Sequence, residues 1–360
     1  MKTAAFKVLE AGPSLTIQDL GRPGYQRFGI TEGGVIDRWA LAEGNTLLGN
    51  DLNTVALEMA TIGGKFTVTG TPIVMATSGA EMDLKLDGTD VPWRSSFTVL
   101  PGQVVHCGVA RHSVYSYLHV QGGLDVATVL GSKATHLRSG FGGYMGRKLC
   151  TGDEIPLSFD SSSITNATPL KLPAPEYLKR ETIRVLWGTQ AHVFGDKQRE
   201  LLLQSEFAVT VERDRMGARL ATDAGSLAAE TGLTGISDAV LAGDIQVAGD
   251  GVGTVLLADR QPTGGYPRIA TVISADLDAI AQIPVNRPFR FSLVSTDEAV
   301  EALLKRKQQI AALSDQLQAV VRSPADVPDL LSYNLVDGVV AAEHSSDVSI
   351  NSTETNRQNK

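Results

Sequence analysis

The sequence is poor in the residues that build covalent or metal-stapled frameworks. Only two cysteines occur in 360 residues, Cys107 and Cys150. Their separation excludes a disulfide framework and matches no zinc-ligand spacing. The six histidines (106, 112, 119, 136, 192 and 344) never pair four apart, so no dedicated metal site is expected. No run of about 18 apolar residues occurs, which argues against a membrane-spanning helix. Basic runs are missing too. Lys and Arg total 32 against 40 Asp and Glu, a formal net charge of -8, so nucleic acid is not an expected partner. The start, MKTAAFKVLEAGPSL, sets Lys7 and Glu10 where a secretory leader needs apolar residues; the expectation is a cytoplasmic protein.

Several catalytic strings are likewise missing. There is no P-loop; VLGSK (129–133) has the wrong spacing. GDGVGT (249–254) imitates a dinucleotide fingerprint, but the strand-like TVLLAD follows where a helix is needed, so it reads as a hairpin. No H-E-x-x-H, C-x-x-C, G-x-S-x-G or biotin-carrying Met-Lys-Met string is found.

What is present is a full hydrophobic complement, 42%, and 36 glycines. The glycine excess points to many tight turns, and the length suggests two domains at about 150 residues each. Residues 1–157 carry short Val/Thr/aromatic runs: 65–70, 72–77, 82–88, 95–100, 103–109 and 114–120. Turn signals such as Asp87-Gly88 and Pro101-Gly102 separate them, a β pattern. One amphipathic helix is expected over 36–50, with Gly49 as its C-cap. A Ser/Thr/Pro-rich linker covers 158–182, and a second β domain covers 183–296, with helices at 195–204 and 274–282. Residues 297–322 read as a long amphipathic helix with Leu303, Ile310 and Leu317 seven apart. Arg306 interrupts the seam, so packing back on the domain and a homo-oligomeric contact both remain open. The polar stretch 344–360 reads as a disordered tail.

Three strings are unusually dense in polar residues. TIQDLGRPGYQ (16–26) sets Gln18, Asp19 and Arg22 on a glycine-rich loop, suited to clamping a small polar ligand; an Asp–Arg pair that only ties the loop uses the same residues. VERDRMGARL (211–220) carries Asp214, Arg215 and Arg219, whose guanidinium forks suit carboxylate or phosphate; a surface ion-pair cluster is the alternative. LLADRQPTGGYPRIATV (256–272) runs a buried strand into Asp259, then Thr263, Gly264, Gly265, Tyr266 and Arg268. Adjacent glycines let backbone N–H groups approach a ligand; a plain turn would also need them.

Together these strings resemble the biotin-dependent carboxyltransferase-like family, also called the allophanate hydrolase subunit 2 family. It includes KipA-like proteins and the C component of 5-oxoprolinase. The resemblance covers about residues 5–300. It rests on TIQDLGRPGYQ, on D-R-W-A-x-A-x-x-N-x-L-L-G-N (37–50), on LEMATIGGKF (57–66), on residues 119–155, on RDRMGARL (213–220) and GDIQV (243–247), and on DRQPTGGYPRIATVISADL (259–277). It implies a mainly β fold of two cyclophilin-like β-barrel domains with a few helices.

The resemblance further implies one component of an ATP-dependent 5-oxoprolinase-type hydrolase that acts on a small amide or lactam. It would be incomplete without a KipI-like B component and a LamB/YcsF-type A component. ATP would be shared with the partner. The alternatives are a carboxyltransferase receiving carboxybiotin in trans for urea or a similar amide, and a KipA-like regulatory binder of a kinase inhibitor. Asp259, Asp19 and Arg219 are then the candidate catalytic groups. Gln18, Arg22, Asp214, Arg215, Gln246, Thr263, Gly264, Gly265, Tyr266 and Arg268 are the candidate substrate-binding groups. Such chemistry needs donors for a polarised carbonyl and a carboxylate as base or N–H acceptor.

The sequence departs from the family pattern at ITEGGVIDR (30–38), where V-P-x-S-G-A-M-D is expected. It departs again at GDIQVAGDGVGT (243–254), and at Gly44-Asn45, where Ala-Asn is usual. These changes are expected in loops near substrate.

Overall fold

Alternating apolar runs in the first half build one antiparallel sheet. The computed structural model describes residues 4–158, 168–229 and 237–320. The expected tail at 344–360, and residues 159–167 of the expected linker, lie outside the described residues. The sheet contains β1 (Ala5–Glu10), β2 (Thr16–Gln18), β3 (Ala56–Ala60), β4 (Ile62–Thr69), β5 (Ile73–Leu86), β6 (Thr89–Asp90), β7 (Ser96–Val99), β8 (Val105–Val120) and β9 (Glu154–Pro156). Its path is β2-β3-β8-β4-β1-β9, with β5 also on β8 and the short β6 and β7 on β5.

Four expected strands fuse into two: 72–77 joins 82–88 as the 14-residue β5, and 103–109 joins 114–120 as the 16-residue β8. The punctuating residues are absorbed within the strands rather than turning the chain. Gly79 and His112 take φ of 74° and 59°, and the β5–β8 register shifts between Gly79 and Glu81 and between Met82 and Leu84. Such irregularities bend a strand without ending it. Asp87 and Gly88, with φ of 49° and 83°, do form the tight β5–β6 turn that two positive φ values favour.

Helix α1 (Arg38–Leu48) crosses from this sheet to the second half. The Asp37 carboxylate accepts from Ala40 N–H at its start, and Gly49 ends it in the left-handed region at φ 64°. Its Trp39, Leu41 and Ala42 join a core shared with Tyr115, Tyr117 and the second half's Ile183, Val209 and Ile245. Phe6, Ile17, Leu57, Phe66 and Leu118 fill a separate core belonging to the first sheet.

After β10 (Leu170–Lys171) the chain continues through β11 (Thr182–Trp187), β12 (Glu206–Arg213), β13 (Gly217–Ala221), β14 (Asp238–Ala239), β15 (Asp244–Val247), β16 (Gly253–Leu256), β17 (Thr263–Gly264), β18 (Arg268–Val272) and β19 (Pro288–Leu293). A closed barrel forms in the order β11-β18-β15-β16-β13-β12-β19, sealed by the parallel β11–β19 pair. Phe207, Phe289 and Phe291 cluster in its core with centroids 5.2–6.4 Å apart. The pair β14–β17 is separate. Residues 248–252 join β15 to β16, so the glycine-rich 249–254 is a hairpin. The fold is thus mainly β, but only the second half closes; the first is a half-barrel rather than the expected barrel.

The helices expected near 195–204 and 274–282 are α2 (Asp196–Gln204) and α3 (Leu277–Gln282). The expected helix over 297–322 is corrected. Helix α4 (Thr296–Ala311) starts at a Ser295–Glu298 capping box and stops at Ala311. A 3-10 turn (Leu313–Gln316) buries Leu313, and β20 (Gln318–Ala319) pairs with β10. Leu317 packs beside Leu47 and Leu172. Burying Leu313 and half-burying Leu317 against separate clusters overrides the heptad row. Arg306 turns inward, bonding Asp278 and lying 5.1 Å from the Trp39 and Tyr177 rings. No helix among the described residues is long and apolar enough to cross a membrane.

Candidate active site at the junction of half-barrel and barrel

The turn between β12 and β13 aims Arg215 across the junction. Its Nε and Nη2 donate to the two oxygens of Asp259 at 2.8 and 2.9 Å, a bidentate grip. Its Nη1 bonds Glu58 of β3, and Nη2 also donates to Gly34 O at 2.6 Å. Glu58 in turn accepts from Ile36 N–H at 2.8 Å and Tyr117 O–H at 2.7 Å. The carboxylates therefore come one from each half, with the guanidinium between them. Burial pulls the Arg215 pKa down, but Asp259 and Glu58 outweigh it and hold the group well above its ordinary value.

Arg215, Asp259 and Glu58 line a cavity of about 670 Å³. Arg138, Lys148, Arg213 and Asp214 line it too, as do apolar Val114, Tyr115, Val211 and Met216. Arg138 and Lys148 are exposed, so cations stand at its rim although the chain as a whole is acidic. Such a rim draws in an anionic ligand.

Behind Asp259 lies the loop after β2. Asp19 accepts from Gly21 N–H at 2.8 Å, Ser132 O–H at 2.6 Å and Lys133 N–H at 2.6 Å. It fastens the loop to residues 132–133. Gln18 donates to Thr16 Oγ1 and Thr135 O, leaving its own Oε1 buried without a partner. Arg22 is 1% exposed; its Nη2 donates to Ala134 O at 2.5 Å, while Nε and Nη1 have no partner. Burial lowers the Arg22 pKa, with Asp19 and Asp259 opposing. His136 accepts from Ser139 N–H on Nδ1, so Nε2 carries the proton and donates to Thr31 Oγ1 at 3.1 Å. Its pKa is lowered, first by burial, against the pull of Asp259.

The remaining expected residues fall elsewhere. Arg219, Gln246 and Tyr266, with Asp214 again, line an open groove of about 650 Å³ on the barrel. Arg219 is tied to Glu212 and Asp250. Asp214 accepts from Met216 and Gly217 N–H, holding the Arg215 turn. Gln246 accepts from Gln261, and Gly264 packs flat on its amide. Thr263 and Gly264 pair with β14, while the space around Gly265 is open. Arg268 is held by Asp238, Asp244 and Ala239 O. The three strings thus meet at Arg22, Arg215 and Asp259; Arg219, Gln246, Tyr266 and Arg268 do not join them.

Sequence reasoning missed Glu58 and His136 as candidates. Glu58 had a signal: a lone carboxylate in the apolar strand ALEMA, where an acid is rarely buried without a partner. Of the departures from the family pattern, 30–38 does reach the junction through Thr31, Gly33 and Gly34. Gly44 does not lie in a loop. It sits inside α1, where an added Cβ would overlap the His119 ring.

Comparison with known proteins agrees with this architecture. The family description "carboxyltransferase domain, subdomain A and B" matches residues 28–293. The chain is 35% identical over 314 residues to the C component of 5-oxoprolinase from Escherichia coli, covering 87% of this chain and 98% of that one. It is 36% identical over 318 residues to the corresponding C component from Haemophilus influenzae, with the same coverage. The crystal structure of Kluyveromyces lactis urea amidolyase superposes with a TM-score of 0.77 at 25% identity, covering 90% of this chain. The chain spans 21% of that much longer protein. On these matches the chain belongs to the carboxyltransferase-domain family, subdomains A and B.

Proposed function

We propose that the chain is one component of an ATP-dependent hydrolase of 5-oxoprolinase type, opening a small lactam or amide together with a KipI-like B component and a LamB/YcsF-type A component. The observation that carries the reading is the Asp259 carboxylate, oriented by two Arg215 N–H groups in a cavity with a cationic rim. Similarity to the 5-oxoprolinase C component across 98% of its length supports the same reaction class. An oriented carboxylate keeps lone pairs free to accept an amide N–H, or a proton from an attacking water. Arg138 and Lys148 suit a carboxylate elsewhere on the substrate.

ATP does not fit this chain's described helix starts. Asp37 caps α1, Asp196 opens α2, α3 is only six residues long, and Ser295 with Glu298 caps α4. Acidic or already capped ends repel or exclude a phosphate. As the family resemblance implies, the nucleotide would be shared with the partner components, and no step here runs through it.

A second reading is a carboxyltransferase that receives carboxybiotin from another chain. The family match and the urea amidolyase superposition favour it. Reconstitution with both partners separates the two. ADP and glutamate formed from 5-oxoproline only with all components present supports the hydrolase. A stable complex without such turnover, but with carboxylation of urea by carboxybiotin, supports the transferase.

A further inference from the structure

We infer that the cavity between α1, α4 and the barrel is a binding site for a small carboxylate with an apolar body, its anion held by Arg260. The site is separate from the one at Asp259, and the inference does not rest on the hydrolase reading.

The cavity has a volume of about 450 Å³ and shares no lining residue with the one at Asp259. Its walls are mostly apolar. Val35, Ile36 and Leu257 are buried there, Leu303 and Ile310 of α4 are half-buried, and Leu241 is exposed. Small-molecule sites are typically spaces of this size, apolar with a few polar groups.

The charged groups of the lining are cationic in surplus. Arg38, Arg260, Arg306 and Lys307 face only Glu32 and Asp278. Both carboxylates are engaged. Glu32 accepts from Arg38 Nη2 at 2.9 Å, and Asp278 bonds Arg306 and the Arg38 backbone N–H. Arg260 and Lys307 are left with no carboxylate partner among the described residues.

Arg260 is the deciding group. It is 4% exposed, and a guanidinium is rarely buried without a carboxylate. Its Nε donates to Val240 O at 3.2 Å, Nη1 to Leu257 O at 3.4 Å and Nη2 to Gln26 Oε1 at 3.5 Å. These are neutral acceptors at the long end of hydrogen bonding. Each Nη carries a second N–H, so two donors of the fork remain for a ligand. Burial lowers the Arg260 pKa, and Glu32, the first of the charges opposing it, is already bonded to Arg38. The fork matches the two oxygens of one carboxylate. The walls call for a hydrocarbon body behind it: acetate would leave them unfilled, and a neutral amide would leave the charge unanswered.

The position gives such a ligand contact with the known site. Ala258 and Arg260 flank Asp259 in sequence, and Gly33 precedes the Gly34 whose carbonyl bonds Arg215. A ligand in the cavity touches the back of both segments.

The test titrates the full chain with hexanoate, hexanamide and acetate by ligand-observed NMR. A hydrogen bond to a charged group corresponds to roughly tenfold or more in affinity. Hexanoate should bind at least about tenfold tighter than either other probe. R260M should erase its advantage over hexanamide. A242F leaves Arg260 in place and narrows the cavity, and should weaken hexanoate by a similar factor. Equal affinities for hexanoate and hexanamide, or for hexanoate and acetate, on the wild-type chain overturn the site and need no variant to fold. A preference that survives R260M but is lost in R138A/K148A places the anion at the other cavity and overturns it too. No readout depends on turnover, so each outcome leaves the proposed reaction to its own test.

Discussion

Arg215 and Arg219 stand four residues apart in one string, yet they face different surroundings. Arg215 is buried between Asp259 and Glu58, its donors shared between the two halves of the chain. Arg219 is held at the open groove by Glu212 and Asp250, both largely exposed. The turn at Asp214–Met216 and the strand that follows send one guanidinium into the junction and leave the other in water. The chemistry of a residue type is therefore set by where the strand ends, and only the buried member sits on a fixed carboxylate beside a cavity.

The contrast can be broken at its strongest point. R215M leaves Asp259 and Glu58 facing each other without a cation, and breaking a buried pair this way costs about 3–5 kcal/mol. R219M, at an exposed pair, should cost no more than about 1 kcal/mol. Urea denaturation of both variants measures this; equal losses would remove the distinction.

A smaller effect separates packing from site chemistry. G44A forces a methyl into the His119 ring, and overpacking of this kind costs about 1–3 kcal/mol. Because Gly44 lies in α1 and not at the junction, lactam binding per folded molecule should hold while the denaturation midpoint falls. A loss of binding with no loss of stability would place Gly44 near substrate after all.

The halves are also joined by a buried carboxyl away from the cavity. Asp37 accepts from Ala40 N–H, Tyr177 O–H and Gln282 Nε2. Burial, with the charge of Asp278 added, raises its pKa from 3.8 to about 7. A carboxyl raised on folding binds more protons in the native state. Its contribution to stability is full below the unfolded pKa and is lost as pH rises toward 7. His119 works in the opposite sense: burial lowers its pKa to about 3, so its contribution is full above 6.5 and is lost as pH falls toward 3. D37N should flatten the decline between about pH 4 and 7; Asn caps the helix as well as Asp, so its cost is the lost acceptor for Gln282 Nε2, roughly 1 kcal/mol. Stability measured across that range in wild type and variant tests it; an unchanged slope would contradict the assignment.

Much of the fold was legible. Helix α1 with its glycine end, the β character of residues 183–296, and the hairpin at 249–254 follow from periodicity and turn chemistry. The fused strands β5 and β8 were not, because a glycine or a polar run signals a turn and a bulge equally well. The end of α4 was missed because the cores that hold Leu313 and Leu317 are built from residues distant in sequence. At the site, Arg22, Arg215 and Asp259 were legible as polar residues on glycine-rich turns. Their meeting was not, since it depends on a packing of half-barrel against barrel that no local pattern encodes. His136 carries no such local signal, and Glu58 only that of a lone carboxylate in an apolar strand.

The most direct test of the account compares D259N and R219M in the reconstituted three-component preparation, following 5-oxoproline-dependent ADP formation with folded fraction checked by circular dichroism. Removing a carboxylate that accepts a proton or an N–H at the reacting group should lower kcat by about 100-fold or more. R219M should lower it by less than about tenfold, as expected for a charge outside the junction. Full turnover by D259N with loss in R219M would move the active site to the open groove and contradict the account.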